Sequence, residues 1–191
     1  MEIKYFVISF REESKPIAEL LQREADGVYI KLLRELKIDP AEYRRQIFIQ
    51  KLDDHFHGQA SGNHIFINDN SGKDELDSEH ILNTLRHEIA HVIVTRLTQG
   101  LLREKRDILN AFVHVGIAEL IENDWQKPSE FMLRSSAMTL AASKLELEEM
   151  IERADYFASW DYNLQYQFCH IFWYQFVDKN GIDGLVSFLK I

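Results

Sequence analysis

Apolar residues recur along the chain with two periods, one typical of β-strands and one typical of α-helices. Alternation over Met1–Phe10 and Arg45–Leu52 predicts β-strands, whereas Glu13–Leu36 carries apolar residues at helical spacing. The segment HGQASGNHIFIND predicts two more short strands, separated near Gly62. Strands in the first half and helices in the second indicate an α+β fold with a small, mainly antiparallel N-terminal sheet, followed by a mostly helical C-terminal half.

A helix predicted over Ile81–Leu97 carries a core face and a chemical face. Its HEIAH pattern places His87 and His91 about 40° apart on one face, so both imidazoles can bind one Zn²⁺ ion. Glu88 turns toward the same cleft, where a carboxylate can take a proton from a water molecule that the metal activates. Roughly opposite lies an apolar stripe: Leu82, Leu85, Ile89, Val92 and Ile93. The pattern therefore predicts metal-assisted hydrolysis, with the sheet packed on this helix.

Polar residues mark where the predicted helices begin and end. Asp77 or Ser78 is expected to cap the HEIAH helix and Gly100 to end it, after a polar surface loop over Ser71–Glu79. Another helix is predicted over Pro128–Ser143, and its expected core residues are Phe131, Met132, Met138 and Leu140. His80 faces the same side as His87 but lies about 10.5 Å along the helix axis, too far to share its metal.

Composition and charge favour one globular domain and bear on its partners. We expect one domain over 1–191, with the sheet and HEIAH helix in 1–100 and a helical subdomain in 101–191. The net charge of −9 argues against a nucleic-acid partner, which clustered Lys and Arg would bind. The same charge is compatible with a basic peptide substrate, although it can equally serve only solubility.

Cysteine usage and the N-terminal segment bear on the compartment. The single cysteine, Cys169, excludes an intrachain disulfide framework and is interpreted as a buried apolar side chain. The opening residues MEIKYFVISF lack a basic region, and their apolar run is too short for a signal peptide or a membrane span. A cytoplasmic protein without a membrane partner is therefore expected.

The segment after the HEIAH helix must supply a third metal ligand, and its candidates are His114, Glu119 and Glu122. HEIAH followed by FVHVGIAELIE resembles the gluzincin metallopeptidases, the thermolysin and aminopeptidase N superfamily, in their minimal single-domain form. The resemblance extends from about Ile17 to Leu189, and HEIAH is its specific part. It implies a zincin-like fold and a zinc-dependent peptidase.

The chain departs from this family at the usual third ligand. The family's second helix carries Trp-x-x-Glu-Gly-x-Ala, and its Glu binds zinc; here Phe112 stands at the Trp position and Val115 at that of the Glu. A valine cannot bind a metal. Glu119, four residues further on the same helical face, is the predicted ligand, although it can instead orient a ligating histidine. His114 or water are the alternatives for completing the site.

The resemblance also implies roles for residues on both sides of the zinc motif. The segment around Tyr166 is similar to the family's closing segment, where a tyrosine stabilises the oxyanion of the tetrahedral intermediate; Tyr162 and His170 are the alternatives. Upstream, a glycine-containing strand edge that aligns peptides by main-chain pairing would correspond to Gly58, Gln59 and Ala60, although a plain hairpin explains the same residues.

Two other classes of function remain open. A catalytically degenerate relative would keep the fold as a binding or regulatory module, because Val115 has cost it tight metal binding. In a toxin, immunity or stress-response partner, HExxH would be purely structural. Metal content separates the first class from a peptidase, and substitution of Glu88 by Gln separates the second.

Overall fold

The computed structural model describes residues 1–39, 45–50, 52, 57–69, 77–98, 108–143 and 162–190, with side chains throughout except in 108–111, 139–143 and 162–165. The chain divides into two compact units, Met1–Ile93 and Val94–Ile191. This division does not test the prediction of one domain over 1–191, which stays a prediction. Most of the predicted loop over Ser71–Glu79, and Gly100, lie outside the described residues.

The first unit combines a sheet with two helices. Its elements are β1 (Phe6–Ser9), α1 (Lys15–Glu35), β2 (Arg45–Gln50), β3 (Gly58–Ser61), β4 (His64–Asn68) and α2 (Ser78–Leu97), and the unit boundary falls inside α2. The four strands and α1 lie within the stretches that the hydrophobic pattern assigned to them, and α2 begins three residues before the predicted Ile81, so the predicted element types are confirmed. Gly62 forms the turn between β3 and β4 with a φ of 61°, a conformation that glycine adopts without a steric penalty.

The sheet is mixed, and the prediction of a mainly antiparallel sheet is wrong. Its strand order is β1-β2-β4-β3; β1 and β4 each run parallel to β2, and only β3 runs antiparallel to its neighbour β4. The chain passes through α1 between β1 and β2, and such a crossover returns a strand in the parallel direction. Alternation of apolar residues has the same period in both types of sheet, so it could not reveal strand direction.

One face of the sheet is buried, and an uncommon polar pair lies within this core. Ile47 of β2 is paired with Ile65 of β4, and both are fully buried. Arg45, also fully buried, donates a hydrogen bond from Nη1 to the Tyr29 hydroxyl at 2.6 Å. Its guanidinium carbon lies 4.6 Å from the centre of the Tyr29 ring, so the aromatic face also stabilises the charge. This pair connects β2 to α1.

The second unit is helical where it is described. It contains α3 (Ile108–Glu122), α4 (Glu130–Ser143) and α5 (Tyr162–Leu189), which Gly181 interrupts with a φ of 71°. Trp173 of α5 donates a hydrogen bond from Nε1 to the Phe112 carbonyl of α3 at 2.9 Å, which fixes the two helices together. Among the described residues, no helix is both long enough and apolar enough to cross a membrane.

The position of α4 corrects two further expectations. The helix begins at Glu130, and the backbone N–H of Met132 donates to Ser129 Oγ at 3.2 Å, as expected at a helix start. Phe131 and Met138 are 75% and 73% exposed, so their assignment to the core is wrong. The small side chain of Ser136 is buried instead. Small and apolar residues alternate around this helix, so hydrophobicity alone did not identify its packed face.

Candidate active site

A side-chain cap fixes the start of the HEIAH helix. Asp77 Oδ1 accepts a hydrogen bond from the backbone N–H of His80 at 2.9 Å, so Asp77 is the N-cap and that prediction is confirmed. Nearer the centre of α2, Arg86 Nη2 donates to Glu35 Oε2 at 2.8 Å, and both side chains are largely buried. This ion pair ties α2 to α1 immediately before the HEIAH motif.

The two motif histidines meet at their ring nitrogens. His87 Nε2 and His91 Nε2 are 3.0 Å apart, and their half-buried rings are inclined at 73°. Two nitrogens that bind one tetrahedral zinc ion at about 2.0–2.1 Å are separated by about 3.3 Å. Without a metal, a single proton can bridge such a pair as an N–H···N hydrogen bond. The pair therefore fits a shared divalent ion with only a small adjustment.

Glu88 lies in a buried position under the backbone of β3. Only 4% of its surface is exposed. A Cβ atom added to Gly58 would lie 2.8 Å from Glu88 Oε1 and 2.7 Å from Thr84 Cγ2, closer than real Cβ contacts. A glycine is thus required where β3 crosses α2, and its strand backbone runs directly beside the predicted general base. Sequence reasoning missed Thr84, although its spacing of four residues from Glu88 places both on one helical face.

The strand that crosses α2 lies at one end of the sheet order. Among the described residues, β3 pairs only with β4, so its other edge offers main-chain groups for a further strand. Along β3, Gln59 is exposed and Ala60 is half-buried. The first unit therefore brings Gly58 of β3 beside Glu88 of the HEIAH motif.

The predicted residues Glu119 and Tyr166 belong to the second unit. Glu119 is half-buried on α3, and Tyr166 is half-buried on α5. Burial, with the Glu119 charge as a smaller contribution, holds the pKa of Cys169 well above its ordinary value. Cys169 lies one turn after Tyr166 on α5. Val115 is half-buried on α3, one turn before Glu119.

The alternatives to Tyr166 and Glu119 have distinct surroundings. His170 is buried, and its Nε2 lies 3.0 Å from the Gln126 carbonyl oxygen, an arrangement in which this nitrogen donates a hydrogen bond. The side chain of Tyr162 lies outside the described residues. His114 is half-buried on α3, and burial lowers its pKa to about 4, so its imidazole is neutral at pH 7.

The lowered pKa of His114 predicts a loss of stability in mild acid. In the unfolded chain its pKa returns to about 6.5, so the unfolded state binds the proton first as the pH falls below that value. We expect this residue to reduce the free energy of unfolding by about 1–2 kcal/mol between pH 7.5 and pH 5. Chemical denaturation at both pH values measures the loss. The loss of unfolding free energy should be smaller in His114→Gln and unchanged in His64→Gln, which replaces an exposed histidine. An equal loss in both variants would contradict the role of His114.

Comparisons with protein-family models, with curated proteins and with solved structures give no match for this chain.

Proposed function

We propose that the protein is a zinc-dependent peptidase in which His87 and His91 hold the metal and Glu88 is the general base. The observation that carries this proposal is the 3.0 Å separation of the two Nε2 atoms, next to a buried carboxylate on the same helix. Imidazole nitrogen is a preferred zinc ligand, and a catalytic zinc site leaves one coordination position open for water or substrate. Both motif histidines are half-buried, so the proposed site is partly shielded from bulk water and still accessible to a substrate.

A third protein ligand is proposed to come from α3. Glu119 is the first choice because it lies one turn from Val115, the position at which the resembling family has its ligand. Glu122 follows Glu119 by three residues, so the two half-buried carboxylates lie on neighbouring positions of one helical face. A carboxylate at this point would complete the common two-histidine, one-glutamate ligand set.

The chain's own residues are proposed to move the protons and bind the reacting groups. When bound, zinc would supply Lewis-acid chemistry, polarising the substrate carbonyl and lowering the pKa of water toward about 7. Glu88 accepts the proton of the attacking water and then donates it to the leaving amine nitrogen. Its burial under Gly58 limits the orientations that its carboxylate can adopt. The Tyr166 hydroxyl donates a hydrogen bond to the oxyanion.

The proposed substrate is an extended peptide that pairs with the edge of β3. Gly58 and Ala60 would supply main-chain N–H and C=O groups to the peptide, which adds a strand to the sheet, and Gln59 between them directs its own main-chain groups at β4. The support for this proposal is the close approach of the Gly58 backbone to Glu88, because it brings a strand edge beside the base. A peptide bound there would present its scissile bond near the proposed catalytic carboxylate.

Metal content tests the proposal directly. Protein purified without chelator at neutral pH is expected to contain about one zinc ion per chain, measured by elemental analysis, because the two imidazoles and a carboxylate form one site. His91→Ala should lose most of this zinc, whereas His64→Ala, which changes an exposed histidine on β4, should retain it. Wild-type protein without near-stoichiometric zinc, or equal zinc in both variants, overturns the peptidase proposal.

The second candidate function is a catalytically degenerate binding or regulatory module. The half-buried Val115 favours it, because this apolar side chain stands where the resembling family has a metal ligand. In that case the wild-type protein is expected to fold without zinc and to bind peptides at the β3 edge without cleaving them. The zinc measurement therefore separates the two candidates.

A further inference from the structure

A second pair of histidines meets at the start of the HEIAH helix. His57 immediately precedes β3, and His80 belongs to the first turn of α2. His57 Nδ1 and His80 Nε2 are 3.2 Å apart, and the two rings are nearly perpendicular, at 89°, with centroids separated by 4.5 Å. The residues are 23 positions apart in sequence, so the fold itself brings these nitrogens together.

The separation of the two nitrogens fits a shared metal ion. Two imidazoles that bind one tetrahedral ion at about 2.0–2.1 Å hold their nitrogens about 3.3 Å apart, close to the separation observed between His57 and His80. A proton can bridge this pair when no metal is bound, and a cation can take its place once both nitrogens offer lone pairs. His57 is exposed and His80 is half-buried, so water can occupy the remaining coordination positions.

We propose that His57 and His80 form a second metal site, separate from the HEIAH motif, for a divalent first-row transition metal ion such as Zn²⁺, Ni²⁺ or Cu²⁺. Imidazole ligands suit these ions, whereas Mg²⁺ and Ca²⁺ prefer oxygen ligands. Two protein ligands make the site weaker than a complete three-ligand centre. The order of affinity is expected to place Cu²⁺ first.

The charges around the site are compatible with a cation. A helix N-terminus by itself disfavours positive charge, because the partial charges of its free N–H groups are positive. Asp77 and Glu79 stand at the start of this helix, and Asp77 already accepts a hydrogen bond from the His80 backbone. These two carboxylates offset the helix dipole where the ion would bind.

Occupancy of this site would hold the edge of the sheet against α2. The His57 carbonyl accepts a hydrogen bond from the Asn68 backbone N–H at 2.9 Å, so His57 is joined to β4. The next residue is Gly58, which lies against Thr84 and Glu88. A metal shared by His57 and His80 therefore ties the start of β3 to the start of α2 and restricts its movement over Glu88. The metal site does not depend on peptidase activity.

Metal titration of a variant without the HEIAH histidines tests this site alone. The full-length double variant His87→Ala/His91→Ala is titrated with Ni²⁺ by calorimetry, and its thermal unfolding is followed with and without the ion. We expect one bound Ni²⁺ per chain, and a rise in Tm of about 5–10 °C at a free ion concentration of about 100 times Kd.

Substitutions in that background identify the ligands. His80→Ala, and separately His57→Ala, are each expected to weaken Ni²⁺ binding at least about tenfold and to reduce the rise in Tm at the same ion concentration by at least about half. His64→Ala changes another exposed histidine, at the opposite end of the β3–β4 hairpin, and should leave both readouts unchanged. Because His57 is exposed, its variant keeps the test valid even if His80→Ala misfolds. Unchanged affinity in His57→Ala, or no binding in the double variant, overturns the second site.

Discussion

Replacement of Glu88 by Gln is expected to reduce peptide hydrolysis by the zinc-loaded protein by about 10²–10⁴-fold, the usual contribution of a positioned general base. Gln has nearly the same shape as Glu, so it should fit the buried position beside Gly58 and Thr84. It cannot accept the proton of the attacking water, because its amide is neutral and very weakly basic. The zinc content and the thermal unfolding curve should therefore remain close to those of the wild type.

The measurement compares cleavage of a mixed peptide library by the wild type and the variant, with products identified by mass spectrometry. Glu79→Gln is the matched control, since it makes the same chemical change at an exposed position in the first turn of α2. It should cleave at the wild-type rate. Undiminished cleavage by Glu88→Gln would show that this carboxylate is not the base. No cleavage by zinc-loaded wild type would favour a binding module.

Local periodicity predicted the helices and strands of the first unit but not how the strands are arranged. α1 occupies Lys15–Glu35, inside the predicted stretch Glu13–Leu36, because apolar residues at helical spacing and a proline in the first turn both specify a helix there. The parallel pairing of β1 with β2 depends on where the chain re-enters the sheet after α1. That contact is non-local, and a period of two residues carries no information about it.

In the candidate site, too, contacts within one helix could be predicted from the sequence, whereas contacts between elements could not. His87 and His91 are four residues apart on one helix, so their juxtaposition follows from helical geometry alone. The pairing of His57 with His80 could not be predicted, because it depends on how the β3 segment crosses α2. From the sequence, His80 is only a histidine two turns away from the motif. The fold supplies the partner that gives it a chemical role.

Gly116 of α3 packs directly against α5, so a larger side chain at this position is expected to destabilise the protein. A Cβ atom added to Gly116 would lie 2.3 Å from Trp173 Cδ1 and 2.8 Å from Cys169 Cβ. Both neighbours are buried, and the Trp173 ring is also held by its hydrogen bond to the Phe112 carbonyl, so neither can move away at little cost. Gly116→Ala is therefore expected to lower the free energy of unfolding by about 3 kcal/mol, despite the better helix propensity of alanine.

Gly27→Ala provides the control, because it makes the same substitution inside α1, where an added Cβ meets no atom within 4 Å. It should raise the free energy of unfolding by about 0.5–1 kcal/mol through helix propensity alone. Urea denaturation of the three proteins measures both changes. If Gly116→Ala were as stable as the wild type, Trp173 could not be packed against this glycine. Both variants replace a helical glycine by alanine. If Gly116→Ala is less stable and Gly27→Ala more stable than the wild type, the destabilisation at Gly116 comes from close helix packing.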